Sequence, residues 1–447
     1  MRIPPSCAPL GVVFMMATLA AACSRGTATA GSMPLDTLSL PSEVGDSAKV
    51  AALAHERCAV RPAPEKPACY EEILFALVAR DRVRLAMGAL HLIGDADPEV
   101  RHNSHQYTHG IGITAYRPDK DIAEIFQSCT ELYQSGCYHG VIQAYFGQQA
   151  EVTEAQVRVL CAAFTQAGAD QWIRFQCVHG MGHGLTMYHA GHVPMALEGC
   201  DMLEQRWDQL SCYGGVFMEN IVGTTEQQHH AQAAAGEGAP AVGGHDHMAG
   251  RDHAGMDHGA GMAAAPPFPS RKAEDPYYPC SVVGPKYQDA CYSMQSGLML
   301  ERTNRDFAAT ARLCSGAPER FRPTCYQSIG TNAAGESRDD GRALALCYLG
   351  EEAYQPWCVL GLVRNRVNVT ARAADGLPVC AIVQGGGNRQ KCYEALGLET
   401  AILMPAPASR AAFCDWLPDD VQASCRFGAR LGTPPPPNLP LRRGDDA

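Results

Sequence analysis

Nine pairs of cysteines, most of them about eleven positions apart, recur along the chain roughly every 33 to 34 residues. A fixed period of this length is typical of repeat proteins, in which each unit buries its apolar face against its neighbours. So many paired cysteines indicate an oxidising compartment. The predicted disulfides are Cys58–Cys69, Cys129–Cys137, Cys161–Cys177, Cys200–Cys212, Cys280–Cys291, Cys314–Cys325, Cys347–Cys358, Cys380–Cys392 and Cys414–Cys425.

The last complete units show how each repeat is built. One short apolar run closes on Cys347, a polar turn follows, and a second apolar run opens at Cys358. Apolar residues in both runs fall at helical rather than alternating spacing. We therefore predict an all-α fold, an α-solenoid of αα-hairpins of about 34 residues, each stapled at its turn by a disulfide. Such a staple stabilises a hairpin by roughly 2 to 3 kcal/mol.

With its cysteine-paired helical hairpins, the chain resembles the cysteine-rich Sel1-like and tetratricopeptide-like repeat lipoproteins of bacterial envelopes. The resemblance covers most of the chain after the N-terminal segment and implies an α-solenoid. The resemblance identifies no catalytic residue in this chain. Those families usually space their paired cysteines more closely than the segment CSGAPERFRPTC does, between Cys314 and Cys325.

The N-terminus reads as an export signal over residues 1–22, because its apolar stretch is too short to span a bilayer. Cleavage after a small-x-small site is one interpretation. The other is a lipobox, in which Cys23 becomes a lipidated first residue. If Cys7 leaves with the signal and Cys23 carries lipid, the nine pairs use all the remaining cysteines, which favours lipidation. Ser24 resembles the sorting signal of outer-membrane lipoproteins.

The rest of the chain divides into a flexible tether (23–47), N-terminal hairpin repeats (48–222), an insertion (223–275), C-terminal hairpin repeats (276–432) and a disordered tail (433–447). A net charge of −11 argues against nucleic acid as a partner. No second long apolar run is present, so the sequence predicts contact with a membrane through the lipid alone. We expect the periplasmic face of a bacterial envelope membrane, with the outer membrane favoured.

Histidines occupy one register of the N-terminal repeats. His139 and His179 each follow the second cysteine of a pair by two positions, and His109 fits the same frame in a unit without cysteines. His105 and His183 lie four residues from His109 and His179, on the same helical faces. Equivalent positions of stacked hairpins share a face, so the imidazoles can converge. Neutral imidazole suits zinc, copper, iron and nickel, which predicts an ordered metal site.

Two further features surround these histidines. Glu219 and Asn220 lie a turn or two beyond the equivalent position of the next unit and would complete a ligand shell. Glycines flank the histidines, where they permit close approach of backbones. No glutamate follows His105 or His179, so the zinc-protease signature HExxH is excluded. The flanking glycines are Gly110, Gly112, Gly140, Gly180, Gly182 and Gly184.

The insertion interrupts the period, because Cys200 and Cys280 are 80 residues apart. Its composition cannot build a core, so we expect it to be disordered without a ligand. Imidazole takes Cu(II) and thioether favours Cu(I), and the segment resembles the His/Met-rich loops of periplasmic copper-resistance proteins. Its candidate ligands form a second, mobile metal loop: His229, His230, His245, His247, Met248, His253, Met256, His258 and Met262.

Three functions remain open from the sequence. The first is an envelope lipoprotein that binds a transition metal, copper or zinc, through the histidine cluster and the insertion. The second is a metal-dependent enzyme that uses the same histidines as ligands. The third is a scaffold whose concave face binds a protein or cell-wall partner. We favour the first, because two separate histidine-rich features indicate a metal and no complete catalytic constellation is visible.

Overall fold

The computed structural model describes residues 46–63, 65–164, 171–234, 268–269 and 271–434, with the side chains of 102 and 222–234 outside that description. The described chain is helical throughout, apart from an isolated β-bridge between Lys272 and Asp275. The all-α prediction is confirmed. Within the described residues, no helix has the length and apolar character needed to cross a bilayer.

In the described part of the chain, eleven helices precede the insertion. Several begin where an aspartate or threonine side chain accepts a backbone N–H of the first turn. The helices are α1 (Ser47–Cys58), α2 (Lys66–Val78), α3 (Val83–Ala96), α4 (Pro98–His102), α5 (Ser104–Ala115), α6 (Ile122–Phe126), α7 (Gly136–Gly147), α8 (Glu154–Leu160), α9 (Gln171–Tyr188), α10 (Val193–Asp201) and α11 (Arg206–Ala234).

Ten helices follow the insertion and continue the same plan, again with aspartate caps on two of them. They are α12 (Gln288–Tyr292), α13 (Ser296–Arg302), α14 (Phe307–Gly316), α15 (Arg322–Glu336), α16 (Asp340–Cys347), α17 (Gln355–Thr370), α18 (Leu377–Ile382), α19 (Gly386–Leu403), α20 (Pro407–Asp415) and α21 (Asp419–Gly428). Short 3₁₀ turns cover Ala162–Phe164, Pro285–Tyr287, Glu319–Phe321 and Ala373–Gly376.

The described cysteines form the nine disulfides that the spacing predicts, each within one hairpin. Cα atoms of the bonded pairs lie 5.4 to 5.9 Å apart, which is ordinary disulfide geometry. In most repeats one cysteine lies at or near the end of the first helix and the other lies in the second, as with Cys347 and Cys358. Cys129 and Cys280 lie outside the helices instead. The bridges therefore hold the turn of every stapled hairpin.

The second helices of the hairpins, here called the inner helices, pack against one another in series: α5, α7, α9 and α11 before the insertion, and α15, α17, α19 and α21 after it. Glycines set their spacing. A methyl group on Gly112 would lie 2.0 Å from the carbonyl oxygen of Cys137, and one on Gly140 would lie 2.1 Å from that of His109. The predicted close approach of backbones is confirmed at these two positions.

The same reciprocal contact recurs in the C-terminal repeats. A methyl group on Gly330 would lie 1.9 Å from the carbonyl oxygen of Cys358, and one on Gly361 would lie 1.9 Å from that of Gln327. Real Cβ atoms do not approach an oxygen this closely, so these inner helices depend on glycine for their separation. The series also curls back on itself, because α9 contacts α19.

The predicted start of the insertion, at about Gly223, lies inside α11, which runs on to Ala234. The helix continues because residues 224–234 (TTEQQHHAQAA) contain neither glycine nor proline, and alanine, glutamine and glutamate are good helix formers. The predicted insertion otherwise falls largely outside the described residues, as do the signal, nearly all of the tether and most of the tail.

The glycine contacts yield a prediction within a single helix. Gly330→Ala should destabilise the protein by about 1–3 kcal/mol or more, because the added methyl group meets a backbone oxygen that cannot rotate away. Gly335→Ala is the matched control, since nothing lies within 4 Å of its Cβ position. That substitution should be neutral or stabilise by less than about 1 kcal/mol. Thermal and guanidinium unfolding of both variants, with the disulfides intact, would measure the difference. Equal midpoints would show that the helix spacing does not depend on Gly330.

Candidate metal centre

Five histidines from three consecutive inner helices meet in one cluster. His105 and His109 lie on α5, His139 on α7, and His179 and His183 on α9. Ring centroids of His109 and His183 are 5.1 Å apart, and those of His139 and His179 are 5.0 Å apart. The five imidazoles therefore lie close together in the structure, as the register of the repeats predicts.

Within this cluster two groups have ring nitrogens close enough to hold a metal ion. His105, His109 and His139 form one group, and His139, His179 and His183 form the other. In each group the nitrogens lie within 4.8 Å of one another. His139 belongs to both, because α7 lies between the other two helices.

Burial favours the neutral form of His105, His109, His139 and His179. His139 and His183 are each 2% exposed, and His179 is 6% exposed, whereas His105 and His109 are half-buried. Loss of hydration lowers the pKa of His105 to about 4. The same cause holds the pKa of His109, His139 and His179 well below the usual value for histidine. A neutral ring has a nitrogen lone pair, which is the form that binds a metal.

Backbone carbonyls fix the tautomers of two rings. Nδ1 of His105 lies 2.7 Å from the carbonyl oxygen of Tyr133, and Nδ1 of His179 lies 3.1 Å from that of Ser211. A carbonyl oxygen only accepts, so each Nδ1 must carry the ring proton and donate it. In a neutral imidazole the remaining nitrogen, Nε2, then carries no proton and has a free lone pair; such a nitrogen is called bare below.

Glu219 fixes the tautomers of two more rings. Its Oε2 accepts from Nδ1 of His183 at 2.8 Å and from Nε2 of Gln143 at 3.2 Å. Because the amide nitrogen of Gln143 faces this carboxylate, its Oε1 faces His109 and accepts from Nδ1 at 2.8 Å. Both rings therefore present a bare Nε2. Carboxylates and carbonyls behind imidazoles are the usual outer partners of metal-binding histidines.

His139 is held through Nε2, whereas the other four rings are held through Nδ1. Its Nε2 lies 3.0 Å from Oε1 of Gln176, so Nε2 donates and Nδ1 is the bare nitrogen. Among the described residues, Nδ1 of His139 and Nε2 of His183 are buried atoms with no hydrogen-bond partner. Buried nitrogens of this kind call for an explanation, and a bound ion is one of the common ones.

One contact in the cluster joins two bare nitrogens. Nε2 of His105 and Nε2 of His109 are 3.1 Å apart, and the protons of both rings are on Nδ1. A hydrogen bond between them is excluded, because neither atom has a proton to donate. Two imidazole nitrogens bound to one ion at about 2.0–2.1 Å lie about 3.3 Å apart at a tetrahedral angle. The contact therefore has the separation of two ligands of one ion.

Glu219, predicted as a metal ligand, contacts the cluster through a hydrogen bond to His183. Position 219 places its carboxylate behind the rings, where it binds the proton of His183 rather than facing the bare nitrogens. Sequence reasoning also missed Gln143, although the signal was present. Gln143 follows His139 by four residues, just as His183 follows His179, so it occupies the second histidine position of its helix.

The predicted ligands of the insertion lie beyond the described side chains. The backbone of His229 and His230 belongs to α11, and their side chains are outside the description. Residues 245–262, with the remaining histidines and methionines, are outside it altogether.

Burial of the cluster predicts how stability depends on pH in metal-free protein. Unfolded histidines titrate near pH 6.5, whereas His105 titrates at about 4 in the folded state and His109, His139 and His179 titrate well below the usual value. The unfolded chain therefore binds more protons as pH falls from about 7 towards 4, and the free energy of unfolding must fall with it.

Guanidinium midpoints of metal-free protein at several pH values between 8 and 4 would measure this loss. His139→Asn removes one of the titrating rings, so its stability should fall less steeply over the same range. Parallel curves for the two proteins would contradict the buried, neutral state of His139.

Comparison with protein-family models, with curated proteins and with solved structures finds no match for this chain. The resemblance to Sel1-like repeats accordingly stays a prediction. The function has to be argued from the cluster itself, in which five imidazoles are each anchored through one nitrogen and bare at the other.

Proposed function

We propose that the protein binds a transition metal ion, copper or zinc, in the five-histidine cluster, and that it does so in a cell envelope. The observation that carries this proposal is the contact of 3.1 Å between Nε2 of His105 and Nε2 of His109. Both nitrogens lack a proton, so a cation between or beside them turns a repulsive contact into two bonds.

The ligand chemistry supports copper or zinc. Neutral imidazole is a common ligand of both ions, whereas calcium and magnesium take oxygen ligands. Metal-binding histidines usually donate the N–H of their other ring nitrogen to an oxygen of the protein, which fixes the orientation of the ring. The histidines of the cluster make hydrogen bonds of this kind. Disulfides and glycine contacts hold the three helices in place, so little ordering remains to oppose binding.

Binding is favoured over catalysis by the burial of the imidazoles. Catalytic zinc keeps one coordination position open for water or substrate. His139, His179 and His183 are each no more than 6% exposed. Their burial limits the access of a substrate to an ion in the cluster.

The envelope location rests on the cysteines. Eighteen of the twenty cysteines form the nine disulfides, as proteins of oxidising compartments do. Cys23 is then available for lipid, which would anchor the protein to a membrane, and the outer membrane is the favoured one. We further propose that the His- and Met-rich insertion binds metal more weakly than the cluster.

Replacing His139 tests the proposal, since this ring belongs to both groups of nitrogens. His139→Ala should lower the affinity of the tight site by more than about 100-fold, beyond the loss typical of an outer partner. The disulfides should keep the fold intact. His192→Asn is the matched control, because His192 caps α10 through an N–H of Met195 and asparagine can do the same.

Metal content would be measured by mass spectrometry on full-length protein purified without an affinity tag. Chelator competition would then separate the tight site from weak binding by the insertion. Equal affinities of the two variants, or wild-type protein that retains no ion against the chelator, would refute the metal site.

A further inference from the structure

A methionine sulfur lies beside the bare nitrogen of His179. Nε2 of His179 is 3.4 Å from Sδ of Met218 on α11. Because Nδ1 of His179 donates to the carbonyl of Ser211, Nε2 has no proton to give to the sulfur. This contact also joins two lone pairs, as the contact between His105 and His109 does.

The repeat explains why a methionine stands at this place. Met218 follows Cys212 by six residues, and His183 follows Cys177 by six. The fourth inner helix therefore presents a thioether at the position where the third presents an imidazole. Met218 is half-buried, which leaves its sulfur both close to the cluster and reachable from its edge.

Two contacts between lone pairs, one at each end of the cluster, indicate two ion positions. The first pair belongs to His105 and His109, on α5. The second belongs to His179 and Met218, on α9 and α11. His139 lies between them, with ring centroids 5.4 Å from His109 and 5.0 Å from His179.

We propose that the cluster holds two ions, and that the second position, formed by His179, His183 and Met218, is selective for Cu(I). This inference rests on the proposed metal-binding function and deepens it. Thioether is a soft, neutral ligand that favours Cu(I), whereas zinc takes imidazole, thiolate and carboxylate. The first position, with imidazole ligands only, accepts either zinc or copper.

The charge of the surroundings supports a monovalent ion at the second position. All three of its ligands are neutral, and His183 is 2% exposed. Placing an ion in a poorly hydrated site is less unfavourable for one charge than for two, because the hydration lost grows with the square of the charge. The carboxylate of Glu219, bound to Nδ1 of His183, supplies one compensating negative charge.

The test removes the sulfur and keeps the shape. In Met218→Leu the new side chain has nearly the volume of methionine. Met218→Gln is a second variant, for the case that leucine disturbs the packing. Met299→Leu is the control, because Met299 is fully buried and contacts the sulfurs of Cys314 and Cys325, away from the histidines. Full-length metal-free protein would be titrated anaerobically with Cu(I) against bicinchoninate, and separately with Zn(II) against a chelator.

Wild-type protein and Met299→Leu should bind one tight Cu(I) equivalent more than either Met218 variant, with a loss of affinity at that position of at least about tenfold. Zn(II) affinity should be the same in all four proteins. All of these variants keep the methionines of the insertion. X-ray absorption at the copper edge should nevertheless show less sulfur scattering in the Met218 variants than in Met299→Leu.

Equal Cu(I) binding by Met218→Leu and Met299→Leu would overturn the mixed position, while loss of metal in His139→Ala would still support the proposed function. A Zn(II) affinity that falls as much as the Cu(I) affinity would also overturn the selectivity. If wild-type protein binds neither ion against the chelators, the proposed function and this inference fail together.

Discussion

The metal centre depends on how closely the inner helices approach one another. A methyl group on Gly140 would lie 2.1 Å from the carbonyl oxygen of His109, and one on Gly215 would lie 1.9 Å from that of His179. The backbone that each glycine approaches thus belongs to a histidine of the cluster. A larger residue at either position would separate the helices and draw the imidazoles apart, so the spacing of the fold and the geometry of the site have one cause.

Much of this arrangement could be predicted because the repeat relates distant residues by register. Two positions after the second cysteine, or its equivalent, the sequence has His109, His139 and His179, and stacking brings them together. Gln143 and Met218 share another register with His183, six positions after the second cysteine. Neither was predicted as part of the site, because neither is a histidine. The role of Glu219 could not be predicted, since one residue along a helix turns a side chain by about 100°.

The C-terminal repeats show how the same frame pairs carboxylates with cations of the chain. Arg364 occupies the register of His183 and forms an ion pair with Glu399, which is fully buried, at 2.6 Å. Lys391 binds Glu394, which stands in the register of His139, at 2.8 Å. Burial raises the pKa of Glu399, and Arg364 opposes that rise. In this half each buried anion has a cation supplied by the chain itself, as buried charges require.

In the N-terminal half the same positions carry groups that need a positive partner. The bare nitrogens of His105 and His109 face each other at 3.1 Å, and the sulfur of Met218 faces the bare nitrogen of His179 at 3.4 Å. Protonation would relieve either contact, but burial lowers the pKa of these three rings and opposes it. A metal ion relieves both contacts without protonating any ring. The two halves thus share one frame, in which arginine and lysine supply the cations of one half and the ion that we propose would supply that of the other.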